Sequence, residues 1–255
     1  MSIERQRFGG IERLYGSKQA ATLAASHIAV IGIGGVGSWV AEALARSGFG
    51  KLTLIDMDEI CVTNTTRQVH AETATVGQMK TAAMTRRIHS INPDCQVIEE
   101  NSFFTPATCD ALLDKRYHCV IDAIDDSRNK CLLVARCKSN KIPLVTTGAA
   151  GGRRDPAKFQ ISDITSTYKD PLISKVRKIL RQEYGFSRNK KRSWGIPCVF
   201  SPEPVVYPDR NGTVCGSKPD DTELKLDCES GYPAFLTELR CRARQLRGEG
   251  AHFRA

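Results

Sequence analysis

The sequence predicts an α/β chain with a Rossmann-like, mostly parallel sheet, helices on both faces and a C-terminal extension of the same domain. Three observations carry that expectation. Short β-branched runs alternate with helix-period segments through residues 27–150, the pattern of strands joined by helical crossovers. Gly32, Gly34, Gly35 and Gly37 crowd the junction between the first run and the helix after it. Carboxylates stand at the ends of two runs, Asp56 at the second and Asp122 just past the fourth.

The elements follow in order. Ser17 is placed to cap a short helix over 17–25. Residues 27–33 are apolar, β-branched and short, as a buried strand requires. A helix over 38–46 puts Val40, Ala41, Leu44 and Ala45 on one face, and Gly48 and Gly50 end it. Residues 51–56 form the second strand and 77–91 a helix that Asn92-Pro93 stops. Strands at 95–99 and 117–121, a helix at 128–138 and a strand at 143–147 complete the alternation. Beyond Gly148 the pattern loosens, except that Asp170-Pro171 is a strong helix start: a cap, then proline in the first turn. In that helix Leu172, Ile173, Val176, Ile179 and Leu180 share a face, while Lys175, Arg177, Lys178 and Arg181 take much of the rest.

Bulk composition is that of an ordinary globular chain: 255 residues, 41% hydrophobic and 25% charged. No run of eighteen apolar residues is present, so no membrane span is expected, and the polar opening at 1–6 lacks the apolar stretch of a signal peptide. A cytoplasmic location is the expectation. The ten cysteines include no C-x-x-C pair, so neither a disulfide scaffold nor a tetrahedral zinc site is predicted. The net charge of +9 is uneven. Residues 169–192 hold nine Lys or Arg against Asp170 and Glu183, and 232–255 hold five Arg against Glu238 and Glu249. Such clusters attract polyanions, although a charge run is more often a solubilising surface.

Gly32, Gly34 and Gly37 satisfy G-x-G-x-x-G between a strand and a helix. The context predicts a turn whose N–H groups, with the helix N-terminus, hold phosphate. Asp56 lies 19 residues past Gly37, where a carboxylate can accept two ribose hydroxyls. To this point NAD and ATP are served equally. The polar stretch 56–68 then places Asn64, Arg67 and Gln68 near the nucleotide, and Lys80 lies in the first turns of the next helix. Two cations at a phosphate site suit a triphosphate under attack; hydride transfer has no such need. Asp122, Asp125 and Asp126 follow the fourth strand, where a carboxylate could hold Mg2+ on the phosphates.

The segments GIGGVG, DMDEICVTNTTRQ, GQMK and DAIDDSR resemble the ubiquitin-activating, ThiF and MoeB superfamily of adenylating enzymes. RFGGIERLYG at 7–16, NKIPLVTTGAAGG at 140–152, and CVFSPEPVVYP and DRNGTVCG late in the chain narrow the resemblance to the tRNA threonylcarbamoyladenosine dehydratase family, over about residues 5–231. The resemblance implies ATP-dependent adenylation of the threonyl carboxylate of a modified adenosine in tRNA, then ring closure with loss of water, releasing AMP and pyrophosphate. It implies that Gly32, Gly34, Gly35, Gly37, Asp56, Asp58, Asn64, Arg67, Gln68, Lys80 and Asp125 bind nucleotide. Arg67, Lys80 and Asp125 would be catalytic, with Asp125 on Mg2+. An arginine lent across a homodimer is assigned to Arg13, with Arg7 also nearby; the usual position for it is Gly10 here. A sulfur-relay protein is a further possible partner. One domain is expected: a nucleotide core at about 27–150, a substrate and dimerisation part at about 151–231 and a tail at 232–255. The basic stretch 169–192 suits tRNA, with Tyr184, Phe186 and Trp194 available for stacking, although such aromatics more often pack in cores. The resemblance fails after Gly231, where the family continues as an apolar Gly/Ala-rich helix. This chain reads Tyr232-Pro233 and then an arginine-rich stretch, which resembles an out-of-frame or divergent ending.

Three other readings stay open at this point. Adenylation of a ubiquitin-like or sulfur-carrier protein C-terminus shares every nucleotide residue, but the basic stretch and missing C-x-x-C pairs speak against it. An NAD-dependent oxidoreductase leaves Arg67 and Lys80 without a role. A non-catalytic tRNA adaptor would not need the full polar set.

Overall fold

A computed structural model describes residues 3–189, 192–208 and 213–216. Five parallel strands form the centre: β1 (His27–Ile31), β2 (Lys51–Ile55), β3 (Gln96–Glu100), β4 (Cys119–Asp122) and β5 (Leu144–Thr147). Two more, β6 (Gln160–Asp163) and β7 (Pro197–Phe200), extend the sheet, whose order is β3-β2-β1-β4-β5-β7-β6. Only β6 runs antiparallel, against β7. β8 (Tyr207–Pro208) and β9 (Val214–Cys215) form a separate ribbon. The chain leaves β1 for β2 on one side and returns to β4 on the other, so a crevice opens at the carboxyl ends of β1 and β4.

Helices cover both faces. α3 (Gly37–Ala45) and α4 (Lys80–Ile91) bury Val40, Ala41, Leu44, Met84 and Ile88 against Ile28, Val30, Leu52 and Leu54. α5 (Cys109–Leu113), α6 (Ser127–Ser139) and α7 (Pro171–Glu183) bury Leu112, Leu133, Ile173, Val176 and Leu180 against Ala29, Ile31 and Val120. Alternate residues of β1 thus feed two cores, which is why the whole strand is buried. Each fully buried branched side chain contributes about 1.5–3 kcal/mol. α1 (Ile3–Tyr15) and α2 (Ser17–Ala25) stand before the sheet.

The differences from the sequence expectation are local. α1 was not foreseen; it ends at Gly16, whose φ of 85° breaks the helix. β1 stops at Ile31 rather than residue 33 because Gly32 has a φ of 86°. α4 begins at Lys80 rather than residue 77, since Gly77 N–H donates to Ile60 O at 2.8 Å and Ile60 N–H to Gln78 O at 2.9 Å, tying 77–78 to the segment after β2. The loose pattern past Gly148 holds β6 and β7. The Asp170 cap does form: its Oδ1 accepts the Ile173 N–H at 2.9 Å. Cys228 and the 232–255 tail lie outside the described residues. No described helix is long and apolar enough to cross a membrane.

Candidate active site

A cavity of about 660 Å³ lies over the carboxyl ends of β1, β2, β4 and β5. Its walls include Gly32, Gly34 and Gly35 after β1, Asp56 and Asp58 after β2, and Arg67, Gln68 and Lys80 from the excursion to α4. Asp125, Asp126 and Asn129 close it after β4, and residues 147–151 after β5.

The glycine turn is built by close approach. Gly32 N–H donates to Ile55 O at 2.9 Å. A Cβ on Gly32 would sit 2.8 Å from Ala123 O, and one on Gly37 only 1.7 Å from Gly32 O. Gly37 is therefore not on the cavity wall; it lets α3 start against the turn. A Cβ on Gly34 would meet nothing within 4 Å, so this residue faces the open chamber.

Asp56 is buried at 8% exposure. Its Oδ2 accepts the Ile33 N–H at 2.6 Å and its Oδ1 the Asp58 N–H at 2.9 Å. Burial raises its carboxyl above the ordinary range, opposed by Lys80 and those two N–H groups. Each carboxylate oxygen keeps a second lone pair for a hydroxyl donor. Lys80 Nζ sits 2.6 Å from Asp58 Oδ2 and 4.0 Å from Asp56 Oδ1. Asp58 is half exposed while Lys80 is buried, so a phosphate entering the chamber can take the ammonium from a partner that solvent will accommodate. Arg67 is pinned beside the turn: its stem packs on Gly35, its Nη1 donates to Thr63 O at 3.0 Å, and its carbonyl accepts Trp39 Nε1–H at 3.0 Å. Gln68 is buried on the wall, and its Oε1 meets no protein donor.

One further expected nucleotide contact stands elsewhere. Asn64 does not line the cavity; its Oδ1 accepts the Cys61 N–H at 3.1 Å and its carbonyl the N–H groups of Arg67 and Gln68 at 3.0 and 2.9 Å. It shapes the short 3-10 turn Val62–Thr66 that presents Arg67. Arg13, expected to serve the site of a partner protomer and not this one, is exposed on α1. Of the acidic trio, Asp125 is exposed on the wall. Asp126 caps α6, its Oδ1 accepting the N–H groups of Arg128 and Asn129 at 3.1 and 2.8 Å. Asp122 is fully buried against Lys130, 3.0 Å away.

Sequence reasoning missed several supports. Glu42, fully buried on α3, takes Arg46 at 2.7 Å and Arg87 of α4 at 2.6 Å, joining the two helices behind the site. Asp170 Oδ2 accepts the Ala149 N–H at 3.0 Å, linking the start of α7 to the wall after β5. A carboxylate or lysine inside an otherwise apolar helix face is the one sequence signal for such groups. The basic helix is less available than its sequence suggests. Arg177 turns inward, its Nη1 donating to Ile164 O and Thr167 O at 3.0 and 2.7 Å. Arg181 lies over the Trp194 ring at 5.2 Å. Trp194 is buried, with Phe186 packed edge-on at 4.7 Å. Those two rings belong to the core, which leaves Tyr184 as the exposed aromatic of the three. Burial pushes the thiols of Cys119, Cys131 and Cys137 up to about 12, so they act as small hydrophobes.

His70 also supports the turn: its Nε2–H donates to Ile33 O at 2.9 Å, which leaves Nδ1 unprotonated and without a partner. Burial lowers its imidazole to about 4, and the positive charges of Lys80 and Arg87 act the same way. Burial likewise lowers His27 to about 4. Unfolded histidine titrates near 6.5, so below that pH the unfolded chain binds more protons. The penalty from each histidine is absent above about pH 6.5 and should grow toward pH 4 by up to about 1.4 kcal/mol per pH unit. Thermal midpoints measured from about pH 8 to about pH 5 should drop on the acid side, and H70Q should flatten that slope. An unaltered slope in H70Q would remove His70 as its source.

A chamber with these walls, at the switch point of a parallel sheet, defines a Rossmann-like nucleotide-binding protein whose phosphate end is met by cations. Known proteins narrow the class. The ThiF family model matches residues 9–187. The tRNA threonylcarbamoyladenosine dehydratase of Escherichia coli K12 is 51% identical over 231 residues, 90% of this chain and 86% of that one. The enzyme of the same name from Haemophilus influenzae is 48% identical over 229 residues, 90% and 85% of the two chains. A crystal structure of the E. coli dehydratase in complex with ATP superposes with a TM-score of 0.78 at 52% identity, covering 80% of this chain and 84% of that one. The chain belongs to the ThiF family, and within it to the tRNA threonylcarbamoyladenosine dehydratases.

Proposed function

We propose that the chain is an ATP-dependent tRNA threonylcarbamoyladenosine dehydratase. The observation that carries the reading is that Gly34, Asp56, Arg67, Lys80 and Asp125 line one chamber that continues past the glycine turn to residues 147–151 and Leu172. A nucleotide fits along the turn, with its ribose at Asp56 and its phosphates between Arg67 and Lys80. The far end then receives the acid. The carboxylate oxygen attacks the α-phosphorus and pyrophosphate leaves. A carboxylate is a poor electrophile, whereas a mixed anhydride with AMP is a good one. A nitrogen or oxygen of the carbamoyl group then attacks the activated carbonyl and closes a ring, and AMP departs. Arg67 and Lys80 offset the charge that develops on the phosphates. Asp125 supplies the carboxylate oxygen for Mg2+, an ion that binds through one or two carboxylates plus substrate phosphates; its exposed place on the wall suits that role. Mg2+ would neutralise the leaving pyrophosphate.

The tRNA partner is read from the enzyme's class and from the basic edge that remains exposed: Lys169, Lys175, Lys178, Arg188 and Arg192. A two-fold dimer, with Arg13 of one protomer serving the other's chamber, a cytoplasmic setting and a sulfur-relay partner complete the reading.

Purified protein incubated with ATP, Mg2+ and threonylcarbamoylated tRNA should convert the modified nucleoside to a species lighter by one water, releasing AMP and pyrophosphate in equal amounts. An unchanged nucleoside, with pyrophosphate exchange that needs a small ubiquitin-like protein instead of tRNA, would reject this reading for the carrier-protein alternative.

A further inference from the structure

We propose that Lys130 is a positioning residue: with Asp122 it fixes the segment 123–126, which carries Asp125 and backs the glycine turn. Both side chains are fully buried, and neither lines the cavity. Lys130 Nζ lies 3.0 Å from Asp122 Oδ1 and donates to Ile124 O at 2.9 Å. Asp122 Oδ1 also accepts the Ile124 N–H at 3.1 Å. One ion pair therefore holds both backbone polar groups of Ile124, the residue before Asp125. Thr146 Oγ1 fixes the other carboxylate oxygen at 2.6 Å, and Thr147 Oγ1 donates to Asp122 O at 3.1 Å. The same segment presents Ala123 O, 2.8 Å from where a Gly32 Cβ would stand.

Energetics separates positioning from simple stabilisation. Desolvating two charges costs several kcal/mol each, and apolar groups of equal volume often serve stability as well or better. What this pair supplies that an apolar pair cannot is an ammonium donor for Ile124 O and a carboxylate acceptor for Ile124 N–H. Its output is the placement of a loop. Asp125 is exposed and reaches into the chamber from that loop, so its geometry depends on how firmly Ile124 is held. The proposal rests on the reading that the chamber performs adenylation.

The double variant D122N/K130M removes both charges at similar volume, which avoids a lone buried ion. Turnover of threonylcarbamoylated tRNA should fall by roughly thirtyfold while ATP affinity changes by no more than about threefold, because misplacement of a reacting group by a fraction of an ångström acts on kcat. Amide exchange across 123–126 should quicken. T146V keeps the ion pair and loses one hydroxyl, with a loss in kcat of about fivefold that T146S largely recovers. A folded double variant with kcat within about twofold of wild type and unaltered exchange at 123–126 would overturn the proposal. Should the double variant not fold, wild-type kcat in T146V would overturn it equally. Wild-type protein run in parallel separates the two claims: if it fails to turn over the tRNA, the function reading fails, while amide exchange still decides whether Lys130 and Asp122 hold the loop.

Discussion

Replacing Lys80 by alanine lowers adenylate formation by about a hundred- to a thousandfold, the range found when one preorganised charge donor is taken from a transition state. The fold should survive. Lys80 is buried, but the carboxylate it contacts most closely, on Asp58, is half exposed and can be hydrated once the ammonium is gone. The second carboxylate, Asp56 at 4.0 Å, keeps its two backbone N–H donors. Arg67 differs. Its guanidinium donates to Thr63 O and its stem packs on Gly35, so R67A should lose turnover and also loosen the turn, visible as a lower melting midpoint. The check is AMP release under saturating ATP together with thermal unfolding of each variant. K80A at wild-type turnover would mean that the ammonium serves the fold by pairing with Asp58, and the phosphates would have to lie elsewhere in the chamber.

The legible part of the molecule was the part governed by local chemistry. Strand β1 carries five buried residues in a row, and no solvated element tolerates that. Asp170-Pro171 gave the start of α7 because a cap and an N1 proline act within one turn. The glycine turn was legible because its spacing encodes a backbone path. What stayed hidden depends on contacts far apart in sequence. β6 and β7 have few residues; β7 exists as a strand because β5 offers an open edge to pair with, and β6 because β7 then offers its own. Asn64 looked like a ligand group since it sits among Arg67 and Gln68, but a side-chain amide one turn away can cap the local 3-10 turn instead. Phe186 lies within the basic stretch and Trp194 just after it, which offered stacking on bases beside the commoner core placement; the tertiary fold decides for the core and shows the two packed on each other. Lys130 was unreadable for the same reason: its partners come from β4 and the loop beyond it.

Gly37→Ala should cost more stability than any other single methyl added to the glycine turn. The added Cβ would stand 1.7 Å from Gly32 O and 2.9 Å from Gly32 C. Both are backbone atoms, so no rotamer change relieves the overlap, and either α3 slides along the sheet or the turn opens. Over-packing of a tight contact typically costs 1–3 kcal/mol, and a backbone collision belongs at or above the top of that range, about 3–5 kcal/mol. For a chain of this size that lowers the melting midpoint by about 10 °C. ATP binding should fail with it, because the N–H groups of the turn lose their common direction. Gly34→Ala is the matched control. Its Cβ meets no protein atom within 4 Å and projects toward the chamber, so the fold should melt as wild type while ATP affinity drops. The pair thus splits the two jobs of the motif: Gly37 permits close packing of helix on strand, and Gly34 permits close approach of phosphate. A G34A protein with unchanged ATP affinity would show that phosphate does not approach the turn, whatever the outcome for G37A.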